Sequence, residues 1–176
     1  MAVRTTANGR QGPAAQYAAL PWRRRRGHSV EILLVTTRRT GRWIVPKGWP
    51  VNGCSPGECA AREAMEEAGV LGVIAPKPIG TFPYRKQRKS GESVRCRVEV
   101  FPLQVTHQLR NWPEKTVRET CWCTAEDAVA RTSDPGLRLV IAKFIVSSAA
   151  PDKCTAVHAL ASTQPRPSPH PEPVQG

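Results

Sequence analysis

The sequence predicts an α/β protein in which a mixed β-sheet has helices packed on it. Two β-rich apolar segments, at 30–36 and 94–100, are separated by one sharply bounded helix. Two further helix starts follow, at Thr124 and Asp134. The chain has 176 residues, which is enough for one compact domain and too few for two well-packed ones.

The first elements are predicted from apolar runs that glycine and proline separate. In chain order they are a first strand that includes 16–20, a buried strand at Val30–Thr36, a turn at 38–42, a short strand at 43–45 and a glycine-rich loop at 47–57. Pro46 ends the short strand, because proline donates no hydrogen bond to a sheet.

The helix after this loop has clear signals at both ends. Ser55 is a good N-cap, Pro56 occupies the first helical position, and Glu58 completes a capping box. The helix is expected to continue to Ala68, where Gly69 provides the C-terminal stop.

The second half of the chain is predicted from alternation and capping residues. Its expected elements are an extended segment at 73–82, a basic loop at 84–92, an alternating strand at 94–100, a strand near Trp122, a helix capped by Thr124, and a last amphipathic helix from Asp134–Pro135 to about Ser147.

Composition divides the chain into three parts. Residues 1–13 are polar and small and are expected to be flexible, and the folded domain is expected at 14–147. Residues 148–176 form a proline-rich tail that buries too little apolar surface to be ordered.

The chain is strongly basic, with a formal net charge of +12 from 26 Lys and Arg against 14 Asp and Glu. This balance indicates an anionic partner, such as phosphates or nucleic acid. A basic surface that only maintains solubility is the alternative. No apolar stretch is long enough to cross a bilayer, so no membrane partner is expected.

The six cysteines include no CxxC pair and no zinc-type spacing with histidine. Because no secretion signal is evident, we expect reduced thiols in a cytoplasmic protein. The first thirty residues contain six arginines and no acidic residue, so mitochondrial targeting is the alternative.

The predicted helix contains the sequence REAMEEAG, in which Glu63, Glu66 and Glu67 lie on one side. Like charges at this spacing repel, and a cation that bridges them removes the repulsion. Clustered hard oxygen ligands favour Mg²⁺, with Mn²⁺ as a substitute. A solvated helix in which Arg62 and Glu66 form an ordinary surface pair is the alternative.

Residues 48–70 resemble the Nudix box, G-x5-E-x7-R-E-U-x-E-E-x-G-U, where U is apolar. The matching positions are Gly48, Arg62, Glu63, Ala64, Glu66, Glu67, Gly69 and Val70. Cys54 stands where the pattern has its first glutamate, and a neutral thiol is a poor Mg²⁺ ligand. Glu58 is an alternative carboxylate, although its capping role competes. The elements from 14 to 147 are similar to the Nudix α/β/α sandwich.

The resemblance implies a Mg²⁺-dependent hydrolase that cleaves a diphosphate bond. Glu66 and Glu67 would be the main metal ligands, with Glu63 and the carbonyl of Gly48 assisting, and Arg62 would orient the carboxylates. A metal-activated water would attack phosphorus, and one glutamate would accept its proton.

The segment WIVPKGWP at 43–50 resembles the Nudix branch that hydrolyses diphosphoinositol and diadenosine polyphosphates. Such substrates need basic contacts, and the candidates are Lys47, Arg42, Arg85 and Lys86. Trp49 and Tyr84 are expected either to stack on a base or to pack. The alternatives are a Nudix hydrolase of nucleoside triphosphates or RNA 5′ ends, and a non-catalytic binder of phosphates or RNA.

Overall fold

The structure is a computed structural model, and it describes residues 12–25, 29–87, 91 and 93–149. The elements in chain order are β1 (Ala14–Arg24), β2 (Val30–Thr36), β3 (Trp43–Ile44), β4 (Lys47–Gly48), α1 (Pro56–Ala68), β5 (Val70–Ile74), β6 (Gly80–Gln87), β7 (Ser93–Gln108), β8 (Thr120–Thr124), α2 (Ala125–Arg131) and α3 (Pro135–Ala149).

The strands form one mixed sheet, as the sequence predicted. Its main order is β3-β2-β1-β7-β5, while β4 pairs with β1, β6 with β7 and β8 with β2. The central pair, β1 and β7, is parallel and in register from Ala14↔Cys96 to Trp22↔Gln104, and the other described pairs are antiparallel. The long strand β7 therefore joins the two halves of the sheet.

The two faces of the sheet carry different helices, because successive side chains of a strand point to opposite sides. Val100 of β7 pairs with Gly80, which lies against Val140 of α3. The next residue, Phe101, packs edge-on against Tyr17 on the face that α1 covers. This arrangement is the predicted α/β/α sandwich.

Helix α1 lies close to the sheet because its inner side chains are small. Ala60, Ala64 and Ala68 are fully buried, and Met65 is half-buried. Helix and strand residues together form one continuous core, which includes Leu20, Ile32, Leu33, Leu34, Val35, Phe82, Val98, Leu137 and Ile141.

The predicted helix ends are confirmed. Ser55 Oγ accepts a hydrogen bond from the Glu58 amide at 3.3 Å, and Glu58 Oε2 accepts one from the Ser55 amide at 2.7 Å. Gly69 ends α1 with a φ of 68°, a left-handed conformation that glycine adopts without a steric cost. At α2, Thr124 Oγ1 accepts from the Asp127 amide at 3.1 Å.

Several predicted boundaries are wrong. The basic loop expected at 84–92 is in part strand, because β6 continues to Gln87; residues 88–90 and 92 lie outside the described residues. Strand β7 continues eight residues beyond Val100, whereas α3 ends at Ala149, close to the predicted end at about Ser147. The predicted loop at 47–57 also contains the two-residue strand β4.

The flexible segment predicted at residues 1–13 lies outside the described residues, except for Gly12 and Pro13. The predicted disordered tail lies outside them from residue 150 onward. In the part of the chain that the structure describes, no helix is long and apolar enough to cross a membrane.

Candidate active site

The loop–helix unit is anchored at Gly48. Strand β4 pairs with β1 through Tyr17↔Gly48, which fixes the start of the loop to the centre of the sheet. The carboxylate of Glu63 lies directly against Gly48, where a β-carbon would collide with it. A larger residue at position 48 would therefore displace the Glu63 carboxylate from the backbone that it now meets.

Glu67 is the most buried of the three glutamates, with 5% of its surface exposed. One carboxylate oxygen, Oε1, is ion-paired with Arg118, and the other, Oε2, accepts a long hydrogen bond of 3.4 Å from the Lys47 amide. Burial raises the pKa of Glu67 to about 7, although the positive charges of Arg118 and Lys47 act in the opposite direction.

Glu66 and Glu63 complete the acidic cluster. Glu66 Oε1 accepts a hydrogen bond of 2.7 Å from Nε of Arg62, whose side chain is 53% exposed. Burial raises the pKa of Glu63, and the negative charge of Glu66 adds to this effect. The three carboxylates therefore differ in burial and in the charge that faces each of them.

The donor chemistry of this cluster fits a hard divalent cation. The carboxylate of Glu63 and that of Glu67 both meet the backbone at Lys47–Gly48, and both are partly desolvated. Carboxylate and carbonyl oxygens are the ligands that Mg²⁺ and Mn²⁺ take. Within the described ranges, however, no three Asp, Glu, His or Cys side chains converge on one point. Glu66 and Glu67 are each turned to an arginine.

Two ionic residues of this site were not predicted from the sequence. Arg118 donates to Glu67, to Glu114 and to the carbonyl of Thr36, the last at 2.7 Å. Glu114 also pairs with Arg38. The four side chains form a charge ladder, Arg38–Glu114–Arg118–Glu67. Arg118 lies 51 positions from Glu67 in the chain, so no local pattern could have revealed the pair.

The predicted substrate-binding residues are divided by the fold. The Nζ atom of Lys47 lies 4.1 Å from the centre of the Tyr84 ring, and that of Lys86 lies 4.8 Å from the Trp49 ring. Burial lowers the pKa of Lys47 to about 8. Lys86 also faces Glu63, since its charge lowers the pKa of that carboxyl group.

Arg85 and Arg42 have different positions. Arg85 adjoins Lys86 on β6, so its side chain points to the opposite face of the strand. Arg42 is exposed, and its positive charge acts on Tyr84. Burial raises the pKa of Tyr84, and the charge of Arg42 opposes part of this rise. The structure thus brings Lys47 and Lys86 to the loop, places Arg42 nearby and separates Arg85 from Lys86.

The departure at Cys54 is not compensated by Glu58. The side chain of Glu58 holds the Ser55 amide, and these capping hydrogen bonds lower its pKa. Cys54 itself is exposed, whereas Cys59 is buried and its Sγ accepts a hydrogen bond of 3.4 Å from the Val51 amide. Cys54, Cys59, Cys121 and Cys123 carry free thiols.

The sandwich and the loop–helix unit with its three glutamates together define an α/β protein of the Nudix type. The sequence profile of the NUDIX domain matches residues 14–144, so the chain belongs to this family.

Curated relatives carry related names. Nudix hydrolase 12, mitochondrial, of Arabidopsis thaliana is 33% identical over 105 residues, which cover 58% of this chain and 52% of the relative. Human diphosphoinositol polyphosphate phosphohydrolase 3-beta is 37% identical over 102 residues, which cover 56% of this chain and 58% of the relative. The chain thus spans little more than half the length of these relatives.

Solved structures confirm the fold at lower identity. C. elegans Ap4A hydrolase superposes with a TM-score of 0.56 at 20% identity, covering 77% of this chain and 98% of that one. The NUDIX domain of Shewanella oneidensis NrtR, complexed with ADP ribose, superposes with a TM-score of 0.58 at 15% identity, covering 81% and 94%.

Proposed function

We propose that the protein is a Mg²⁺-dependent hydrolase that cleaves a diphosphate bond in a polyphosphorylated substrate. The observation that carries this proposal is the acidic cluster of α1 beside Gly48. Two of its carboxylates are partly or largely buried, and burying like charges costs free energy that a fold without a use for them would avoid.

The roles of the residues follow from their positions. Glu66, Glu67 and Glu63 would hold the metal together with the carbonyl of Gly48, and Arg62 orients Glu66 through the 2.7 Å hydrogen bond. Mg²⁺ held by these residues would supply a lowered pKa for a water molecule and positive charge opposite the leaving phosphate. One of the carboxylates accepts the proton of the attacking water.

The basic residues around the loop support an anionic substrate. The charges of Lys47 and Lys86 both act on Glu63, each ammonium lies over an aromatic ring, and Arg42 acts on Tyr84. We propose a diadenosine or diphosphoinositol polyphosphate, since relatives and structural neighbours carry these names. Trp49, which is 37% exposed, offers a surface on which an adenine base could stack.

The test is release of phosphate or nucleotide from a substrate panel with Mg²⁺ present. The panel contains diadenosine polyphosphates, diphosphoinositol polyphosphates, nucleoside triphosphates, capped RNA and ADP-ribose. Glu67→Gln should abolish turnover of the preferred substrate. Glu58→Gln is the matched control, because it makes the same change on the same helix at a capping residue. Turnover that survives both changes, or needs no metal, would contradict the proposal.

Cys54 favours a second candidate, a non-catalytic Nudix domain that binds phosphates or RNA. No carboxylate replaces the first box glutamate, and two of the remaining three are paired with arginines. Such a protein should bind single-stranded RNA without metal, with an affinity that falls steeply as salt is raised. Metal-independent, salt-sensitive binding without turnover would favour this candidate.

We propose that the protein acts in the cytoplasm, which the free thiols of Cys54, Cys59, Cys121 and Cys123 support. Fractionation of cells that express the full chain tests it, with recovery in mitochondria as the contrary result.

A further inference from the structure

We propose that Arg118 is a positioning residue for Glu67, holding one carboxylate oxygen so that Glu67 presents only the other to the metal. Glu114 in turn fixes Arg118. This inference rests on the proposed metal-dependent function, and it assigns a role to a residue outside the loop–helix unit.

The guanidinium of Arg118 is held from three parts of the fold. Its Nη2 donates to Oε1 of Glu67 on α1, its Nε to Glu114 in the segment 109–119, and its Nη1 to the carbonyl of Thr36 at the end of β2. The side chains of Arg118 and Glu67 are only 12% and 7% exposed. A rigid fork with three acceptors of this kind has one orientation, whereas an exposed surface pair has many.

The ion pair with Arg118 gives the two carboxylate oxygens of Glu67 different partners. Oε1 is occupied by Arg118, while Oε2 accepts, among the residues that the structure describes, only the 3.4 Å hydrogen bond from the Lys47 amide. Oε2 also lies on the side of Gly48, where the Glu63 carboxylate is found. Glu67 is thus arranged to give a single oxygen toward the acidic cluster.

The segment 109–119 is attached to the same turn of α1. The Glu114 amide donates to the carbonyl of Glu66 at 3.0 Å, and the Leu109 amide donates to the carbonyl of Gly69 at 2.8 Å. The Trp112 ring lies against Gly69, so closely that a β-carbon there would collide with it. Because this segment also carries Arg118, it places the guanidinium and the Glu67 carboxylate relative to one another.

A direct role of Arg118 in substrate binding is the competing explanation. A cavity of about 370 Å³ lies beside it, lined by Arg38 and Lys115 among others. A positioning residue and a substrate contact differ in what their loss changes. Loss of the first weakens metal binding in the absence of substrate, while loss of the second raises KM at saturating metal.

The experiment measures Mn²⁺ binding to the full chain without substrate, by the electron paramagnetic resonance signal of free Mn²⁺. Arg118→Gln should weaken binding about 10- to 100-fold, as loss of a partner of a metal ligand commonly does. Arg118→Lys should recover part of the loss, because the charge remains and the three-way fork does not. Arg110→Gln is the matched control, since it changes an exposed arginine of the same segment and should have no effect.

A second variant covers the case in which Arg118→Gln does not fold. Glu114→Gln leaves Glu67 and Arg118 in place but weakens the anchor of Arg118, so Mn²⁺ binding should fall by a smaller factor, about 3- to 10-fold. Circular dichroism and thermal unfolding of each variant establish that the fold is retained.

The outcomes separate the two proposals. Unchanged or tighter Mn²⁺ binding by folded Arg118→Gln, with a raised KM, would overturn the positioning role and assign Arg118 to the substrate. Weakened Mn²⁺ binding in a protein that cleaves no member of the panel would sustain the positioning role and reject the proposed hydrolase. Absence of Mn²⁺ binding by the wild-type chain would overturn the positioning role itself.

Discussion

Glu67→Gln is expected to stabilise the metal-free protein at neutral pH while it abolishes turnover. Burial raises the pKa of Glu67 from 4.5 to about 7, despite the nearby charges of Arg118 and Lys47. Each unit of pKa corresponds to about 1.4 kcal/mol. At pH 7.5 the ionised side chain therefore costs the fold up to about 3 kcal/mol. Glutamine does not ionise, and Glu114 remains to face Arg118.

The sign of the pH dependence follows from where the proton is bound. Between pH 4.5 and about pH 7, the folded protein retains the proton of Glu67, whereas the unfolded chain has lost it. Unfolding releases a proton in this window, so the free energy of unfolding falls as the pH rises. Glu63 contributes in the same direction because its pKa is also raised. The difference between wild type and Glu67→Gln isolates the contribution of Glu67.

The assay is urea denaturation in the presence of a chelator, at intervals from pH 5 to pH 7.5. Near pH 5, wild type and Glu67→Gln should have similar free energies of unfolding. Toward pH 7.5 the free energy of unfolding of Glu67→Gln should exceed that of wild type by about 1 to 3 kcal/mol. Lys47 has a pKa of about 8, so it changes charge mainly above this window. If the variant is less stable than wild type at pH 7.5, the attraction of Arg118 outweighs burial and the reasoning is wrong.

The remaining predictions concern the loop, the helix end and the tail. Cys54→Glu should leave turnover similar or raise it, because the remaining carboxylates suffice and the exposed position 54 has room for the side chain; a large loss in the phosphate-release assay would show an unrecognised role of the thiol. Gly69→Ala should destabilise the fold by roughly 1–3 kcal/mol, since φ is 68° and the added carbon meets the Trp112 ring. Gly57→Ala, in helical backbone where the added carbon would make only ordinary van der Waals contact with Ile74 and Ala75, should be neutral or stabilising in the same thermal unfolding assay. Removal of 151–176 should leave the melting temperature and turnover unchanged, because the family match ends at 144; a drop in melting temperature beyond a few degrees would contradict this.

The parts of the fold that the sequence predicted well are those with local signals. The boundaries of α1 follow from Ser55, Pro56 and Gly69, each of which acts within a few residues. The strand Val30–Thr36 is equally clear, because its apolar run ends at turn residues. These features depend on propensity and capping, which operate over one or two turns of chain.

The structure differs from the sequence-based prediction where strand pairing with residues far away in the chain determines the conformation. Residues 101–108 of β7 contain Pro102 and a polar run, yet they are strand because β1 and β5 pair with them on either side. The charge of residues 84–87 predicts a loop, but β7 pairs with all four of them, from Tyr84↔Cys96 to Gln87↔Ser93. Once 84–87 is a strand, alternation sends Arg85 and Lys86 to opposite faces. A charge cluster in the sequence is therefore not one in space.

In the candidate site, Glu66 is paired with an arginine on its own helix, whereas Glu67 is paired with an arginine from a distant part of the chain. The pair of Arg62 and Glu66 was predictable from their i,i+4 spacing, and because Arg62 is more than half exposed, Glu66 can leave it at little cost. Glu67 cannot leave Arg118 in this way, because separation would leave its buried carboxylate without its ion-pair partner. Glu66 is thus the carboxylate that is free to turn toward a cation, while Glu67 acts from a fixed position. The asymmetry predicts that Arg62→Gln will affect metal binding less than Arg118→Gln, and equal losses in the Mn²⁺ titration would contradict it.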